Sequence, residues 1–307
     1  MNSGDIFRFD LLPILGPTAC GKTRLAVEIA HNLSGEIISA DSRQVFRKLN
    51  IGTGKDLIEY QHPDGTIPHH LIDIIDPADD YSVFHFQNDF YNSYLDIKKK
   101  HKQPILCGGT GLYIEAILRH FSISPVKPNI ELRKELDILS IGELQEKLKS
   151  IKSKHHNTSD FLHKKRLIRA IEIALSPVPE KSLPVKIEAP VIIGIDYPRS
   201  EVRNRITLRL HERINEGLIE EVEDLIRSGV THERLEYFGL EYRFISRFIE
   251  GKLNKNDMIQ KLNSAIHQFS KRQMTFFRHM EKQGIKIHWI PKGNQQQAFK
   301  LLENWTQ

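Results

Sequence analysis

Leu11-Leu12-Pro13-Ile14-Leu15-Gly16-Pro17-Thr18-Ala19-Cys20-Gly21-Lys22-Thr23 governs how the remaining sequence is read. The apolar run Leu11 to Leu15 stops at a glycine, the pattern of a buried strand entering a tight loop. Gly16 to Thr23 then fits G-x-x-x-x-G-K-[ST], the phosphate-binding P-loop. The chemistry dictates these residue types. Glycines let backbone N–H groups curl around phosphate oxygens, and the following helix aims its N-terminus at the same anion. Lys22 adds a point charge, and the Thr23 hydroxyl is a ligand for Mg²⁺. Leu25, Ala26, Ile29, Ala30 and Leu33 recur at helical spacing directly afterwards. Gly16, Pro17, Thr18, Ala19, Cys20, Gly21, Lys22 and Thr23 are therefore expected to cradle a diphosphate or triphosphate. The competing reading is a Gly-rich turn with an incidental lysine.

Outward from this loop the pattern repeats. Glu36 to Ala40 reads as a second buried strand with Asp41 at its end, and Leu71 to Ile75 as a possible third. Ser82 to Lys100 is helical, with Ser82 as N-cap. Pro104 to Cys107 is a strand stopped by Gly108-Gly109. Alternation of this kind predicts an α/β fold, a P-loop NTPase-like parallel sheet flanked by helices. Residues 129–175 read as helices without a strand. Prolines at 177, 179, 184 and 190 mark 176–190 as a linker. Val191 to Ile195 resumes the strands, followed by helices over 199–229, 242–249 and 257–282 and a strand over 285–290. The expected organisation is a core of 1–121 and 187–307 interrupted by a helical insertion domain, 122–186.

Composition excludes several classes. The 307 residues are 39% apolar and carry a net charge of +5, ordinary for a globular protein and compatible with a polyanionic partner. Residues 1–10 lack the apolar centre of a signal peptide, and no run approaches a membrane span. Cys20 and Cys107 have neither disulfide-framework nor metal spacing, which suits a reducing compartment, and a cytoplasmic monomer is expected. His69-His70 and His155-His156 also lack metal-ligand spacing. The P-loop does not by itself specify a reaction. A strand ending in a metal-binding Asp, usual in ATPases and GTPases, is missing after 104–107; Asp73 or Asp76 after 71–75 could take that role, which weakens ATP hydrolysis without excluding it. Asp41 stands at a strand end, where open α/β sheets bind ligands, although a turn-forming Asp is the plain alternative.

Further segments carry a resemblance. Gly16-Pro-Thr-Ala-x-Gly-Lys-Thr23, Ala40-Asp41-Ser42-Arg43-Gln44-Val45-Phe46, Ile51-Gly-Thr-Gly-Lys55, His69-His-Leu-Ile-Asp-Ile74 and Gly108-Gly-Thr-Gly-Leu-Tyr113 resemble the bacterial tRNA dimethylallyltransferases. So do Arg166-Leu-Ile-Arg-Ala-Ile-Glu172, Gly217-Leu-Ile-Glu-Glu-Val222 and Lys271-Arg-Gln-Met-Thr-Phe-Phe-Arg278, in order along nearly the whole chain. The resemblance implies transfer of a dimethylallyl group from dimethylallyl diphosphate to N6 of the adenosine 3′ of the anticodon, with Mg²⁺ present. It implies that Thr18 contacts the diphosphate, that Asp41 takes the adenine amine proton, and that Thr110 and Arg133 contact adenosine or diphosphate. The plain reading of Arg133 is an exposed charge on the first insert helix.

For the tRNA anticodon stem-loop, the resemblance points to Asp41, Ser42, Arg43, Gln44, Thr110 and Arg133. It also points to Lys165, Arg166 and Arg169 on the insert, Arg243, and Lys271, Arg272, Gln273 and Arg278 on a long C-terminal helix. Phosphate contacts of this kind fall to Lys and Arg. Arg203, Arg205, Arg209 and Arg213 form another basic set, of which Arg209 and Arg213 read as a solvated face. Phe276 and Phe277 are expected in the core rather than stacked on bases. One segment departs from the pattern: Glu241 stands where the family has Gly, and Phe238 where it has Arg. The alternatives are an adenylate prenyltransferase acting on free nucleotide, a P-loop small-molecule kinase, and an RNA-binding protein without turnover.

Overall fold

Alternation along buried strands assigns each side chain to one face of a sheet. In this computed structural model, which describes residues 9–123, 126, 128–151, 163–176, 183–189 and 191–305, the chain divides into two units: 1–121 with 185–307, and 122–184.

The first unit begins β1 (Leu12–Leu15), α1 (Lys22–Asn32) and β2 (Gly35–Ala40). A 3₁₀ turn (Leu57–Tyr60) leads into a small hairpin, β3 (Gln61–His62) and β4 (Gly65–Thr66), and then β5 (His69–His70). α2 (Val83–Lys99), β6 (Gln103–Gly108) and α3 (Gly111–Leu118) complete the segment before the insertion. The insertion holds α4 (Ile130–Asp137), α5 (Ile141–Ile151) and α6 (Lys164–Leu175). The chain returns as β7 (Ile193–Asp196), α7 (Arg199–Asn215), α8 (Leu218–Arg227), α9 (His232–Phe238), α10 (Leu240–Ile249), α11 (Lys255–Lys282), β8 (His288–Pro291) and α12 (Gln295–Glu303).

Six strands form one sheet in the order β5-β2-β6-β1-β7-β8, with every pairing parallel. β1, β2 and β6 are buried along their whole length, as sheets covered on both faces require. Leu12, Ile14, Ile37, Ile105, Cys107, Ile193 and Ile195 share one core with Leu25, Ile29, Ala298 and Leu302 of α1 and α12. α2 packs on β2 and β6 and brings Phe86, Phe90 and Tyr94 into the interior. Its first turn is closed by Ser82 and His85 in a reciprocal capping box.

Several expectations change. Leu71 to Ile75 is not a strand: Leu71 and Asp73 have φ of 62° and 56°, and the segment bonds instead to Gln44 and Val45. The pairing strand is His69–His70. The helix expected over 199–229 is two helices, because Gly217 turns the chain at φ 100°. α9 and α12 were not expected from periodicity; both are short, and α12 carries polar residues through its first turn. Residues 1–8, His155-His156 and the linker prolines 177, 179 and 190 lie outside the described residues.

The second unit packs Leu136, Leu144, Leu148, Leu167, Ile168 and Ile171 into a core of its own. Glu172 is buried beside it and gathers three donors: the Asn129 N–H at 2.5 Å, the Arg133 guanidinium at 2.8 and 3.0 Å, and Arg169. A buried carboxylate requires such partners.

Candidate active site at the carboxyl edge of the sheet

The loop after β1 is shaped for an anion. Gly16 lies so close to Cys20 that a Cβ would meet its sulfur at 2.6 Å. Ala19 and Gly21 are left-handed at φ 62° and 76°, the alternation that turns successive N–H groups to one side. Gly21 offers α1 no side-chain cap, and its first turn has no acidic residue, so the orphan amides face the loop. Lys22 and Thr23 are half-buried there. Burial and then the charge of Asp56 push the carboxyl of Glu59, on the 3₁₀ turn, up, while the nearby Thr23 hydroxyl and Lys22 oppose that rise.

Two more loops end at this edge. Asp41 follows β2, and its Oδ1 accepts the Arg43 N–H at 2.9 Å and the Gln44 N–H at 3.4 Å. Among the described residues nothing bonds to its other oxygen, so one oxygen holds the turn and the second is available. Thr110 follows β6. Its N–H donates to the Ala40 carbonyl at 3.1 Å, and its hydroxyl accepts the Ser42 N–H at 3.1 Å. Thr110 thus holds the Asp41 turn in place.

Gln273 of α11 joins these loops to the cradle. Its Oε1 accepts the Thr18 N–H at 2.9 Å and its Nε2 donates to the Gly109 carbonyl at 2.9 Å. Gln273 was expected to contact tRNA. It is instead buried, with both carboxamide atoms engaged, because α11 crosses directly over the two loops. Phe276 presses on Gly111, where a Cβ would lie 2.3 Å from the ring, and Phe277 is core, as expected.

The arginines of α7 overturn the solvated-face reading. Arg205 Nε donates to the Ala19 carbonyl at 2.7 Å, Arg209 donates to the Thr18 hydroxyl, and Arg213 is buried 3.6 Å from Asp56. Burial, and then the neighbouring Arg213, bring the Arg209 guanidinium down to about 10, still charged at neutral pH. Positions 205, 209 and 213 are spaced by four on one helical stripe. That one-sided cationic stripe beside a P-loop was the available signal. Glu241, the departure from the family pattern, faces this group. Burial pushes its carboxyl up, and Arg213 and Arg209 partly counter that. Phe238 fills the core against Phe46 and supplies no charge.

Other expected residues are accounted for by local partners. Arg43 lies over the Tyr237 ring at 4.6 Å, and Gln44 Nε2 donates to the Gly54 carbonyl at 2.9 Å. Glu221 was not singled out individually, yet it accepts the N–H groups of Asn50, Ile51 and Gly52 and the Tyr242 hydroxyl. Asp73 is paired with the buried Lys55 and Asp76 with Arg47, so both candidates for a metal-binding Asp are engaged with cations. Arg243 is paired with Glu236 at 2.8 Å. Lys271, Arg272 and Arg278 are exposed on α11, and Lys165 and Arg166 on α6. Arg133 and Arg169 are bound to Glu172 rather than simply solvated. Beside Pro17 a cavity of about 530 Å³ is lined by Tyr197, Arg203, Ser270, Lys271 and Met274.

Residues 44–280 match the family described as IPP transferase, and residues 9–61 match the isopentenyl transferase family. The chain belongs to the IPP transferase family. Over 92% of its length, this IPP transferase is 53% identical to a protein named tRNA dimethylallyltransferase 2 from Syntrophotalea carbinolica, covering 94% of that relative. The IPP transferase fold is also that of the tRNA isopentenylpyrophosphate transferase of Bacillus halodurans: TM-score 0.66, 30% identity, 96% of this chain and 94% of that one. A eukaryotic dimethylallyltransferase solved acting on tRNA shares the fold at TM-score 0.72 and 21% identity, over 92% of this chain and 73% of that one.

Proposed function

We propose that this IPP transferase moves a dimethylallyl group from dimethylallyl diphosphate to N6 of the adenosine 3′-adjacent to the anticodon in tRNA. The observation that carries the reading is the hydrogen-bonded series Thr18–Gln273–Gly109, continued by Thr110 to Ser42 and the Asp41 turn. It sets a diphosphate cradle and a carboxylate with one uncommitted oxygen at the same sheet edge.

In the reaction the C1–O bond of the donor breaks, a C1–N6 bond forms, and diphosphate leaves with the bonding electrons. P-loop amides, Lys22, Arg209 and Arg205 face the charge growing on the leaving oxygens. The adenine amine is a weak nucleophile, its lone pair delocalised into the ring. The free Asp41 oxygen accepts a hydrogen bond from N6, orients attack, and takes the proton that N6 loses. Thr110 keeps that carboxylate in place. An adenine inside a tRNA loop must leave its stack to reach this edge, which costs a few kcal/mol. Lys165, Arg166, Lys271, Arg272 and Arg278 supply phosphate contacts that offset it.

The Thr23 hydroxyl and Glu59 carboxylate form an oxygen donor pair that fits Mg²⁺. Held by Thr23 and Glu59, Mg²⁺ would supply positive charge against the leaving diphosphate. Among the described residues no helix is long and apolar enough to cross a membrane. A cytoplasmic monomer is part of the same proposal.

The test offers purified protein labelled dimethylallyl diphosphate together with an anticodon stem-loop, AMP or ATP. Label on the stem-loop is expected. Label on AMP alone would establish the adenylate prenyltransferase instead, and ATP turnover without prenyl transfer the kinase.

A further inference from the structure

We infer that His31, His62 and Asp64 form a binding site for a divalent transition-metal ion of the zinc class, away from the P-loop mouth. His31 lies in the last turn of α1, and His62 and Asp64 belong to the β3–β4 hairpin. Their ligand atoms, His31 Nε2, His62 Nδ1 and Asp64 Oδ2, all lie within 4.8 Å of one another. Asp64 Oδ2 is 2.9 Å from His31 Nε2 and 3.4 Å from His62 Nδ1.

The chemistry of the second contact is the telling one. His62 Nδ1 accepts the Asp64 N–H at 3.2 Å, a bond that ion binding exchanges for one to the metal as the ring turns. That ring nitrogen and the Asp64 carboxylate oxygen face each other at 3.4 Å. Bonds of about 2.0–2.1 Å to a tetrahedral zinc put neighbouring ligand atoms roughly 3.3–3.4 Å apart. Two imidazoles and one carboxylate suit zinc, nickel or copper better than Mg²⁺. The rings are stacked with centroids 3.7 Å apart and 17° between planes, so binding turns them about χ2, a soft torsion, to bring the ion into each ring plane. The C-terminal end of α1 favours added positive charge.

The site has a structural consequence. A hairpin of two-residue strands is marginal alone, and this one follows directly from the turn that carries Glu59 to Thr23. An ion shared by α1 and the hairpin ties the distal end of the P-loop helix to that turn. Sequence spacing does not reveal the set, because one ligand comes from a helix and two from a hairpin some thirty positions later.

Zn²⁺ is titrated by calorimetry into EDTA-stripped full-length protein in excess Mg²⁺, with Co²⁺ absorption and melting temperature as parallel readouts. One saturable equivalent is expected, with a four-coordinate Co²⁺ spectrum and a Zn²⁺-dependent rise in melting temperature. His31→Gln, His62→Gln and Asp64→Asn should each weaken that equivalent at least ~10-fold. All three side chains are at least partly exposed, so metal-free melting temperatures should match wild type. Wild-type protein without a saturable equivalent, or variants that bind it equally well, would overturn the assignment.

Discussion

Gln273 binds Thr18 through its backbone amide, at 2.9 Å and across 255 positions of sequence. One P-loop N–H is therefore used to fix the loop rather than to meet the anion. The other end of the carboxamide holds Gly109. Gln273→Ala removes both bonds and leaves a buried carbonyl without its partner. A loss of about 2–4 kcal/mol in stability is expected, read by urea unfolding, with a fall in kcat/KM beyond what the unfolded fraction explains. Unchanged stability would show that the bridge does not hold the two loops.

Asp41 can be separated from its structural duty. Asp41→Asn keeps Oδ1 as acceptor for Arg43 and Gln44 but removes the charge. Turnover should fall by about 10²–10⁴, while tRNA affinity changes less than about threefold. Single-turnover rates and filter binding check the two parts; an equal loss of both would contradict the proton-accepting role.

Arg209 reaches the Thr18 hydroxyl from a half-buried position. Arg209→Ala should weaken diphosphate binding by roughly 10–100-fold, the scale of one lost charged hydrogen bond. Arg209→Lys should not restore it, because an ammonium cannot reproduce the guanidinium fork. Inorganic diphosphate titrations measure both.

Glu172 sets an acid limit for the insertion. Burial raises its carboxyl, but hydrogen bonds from Arg133, Arg169 and the Asn129 N–H outweigh it and hold it at about 2. A carboxyl lowered on folding stabilises above its unfolded pKa of ~4.3 and loses that stability as pH falls toward 2. Circular dichroism should show helix loss in that window. Glu172→Gln should cost about 2–3 kcal/mol at neutral pH and flatten the acid dependence.

Lys165 and Arg166 are exposed on α6, and among the described residues their side chains have no hydrogen-bond or ion-pair partner. Replacing both by Ala should reduce the slope of log affinity against log salt by up to ~1.4 for single-stranded contacts, ~0.7 for each phosphate released. Fluorescence anisotropy over a salt series reads it, and an unaltered slope would move the tRNA surface elsewhere.

Local chemistry determined much of this protein directly from sequence. The strand–glycine–lysine–helix pattern of residues 11–33, the carboxylate at the end of 36–40 and the helical insertion follow from periodicity and backbone conformation, which act over a few residues. The family-like segments added the reaction. Tertiary structure alone decided which charges are spent on partners. Arg209 and Arg213 look like a solvated face until α7 lies over the P-loop, and Gln273 looks like an RNA contact until α11 brings it between Thr18 and Gly109. Arg133 and Arg243 read as contacts for the substrates until Glu172 and Glu236 are found beside them. Burial and pairing depend on contacts between distant segments, and a single sequence does not contain those distances.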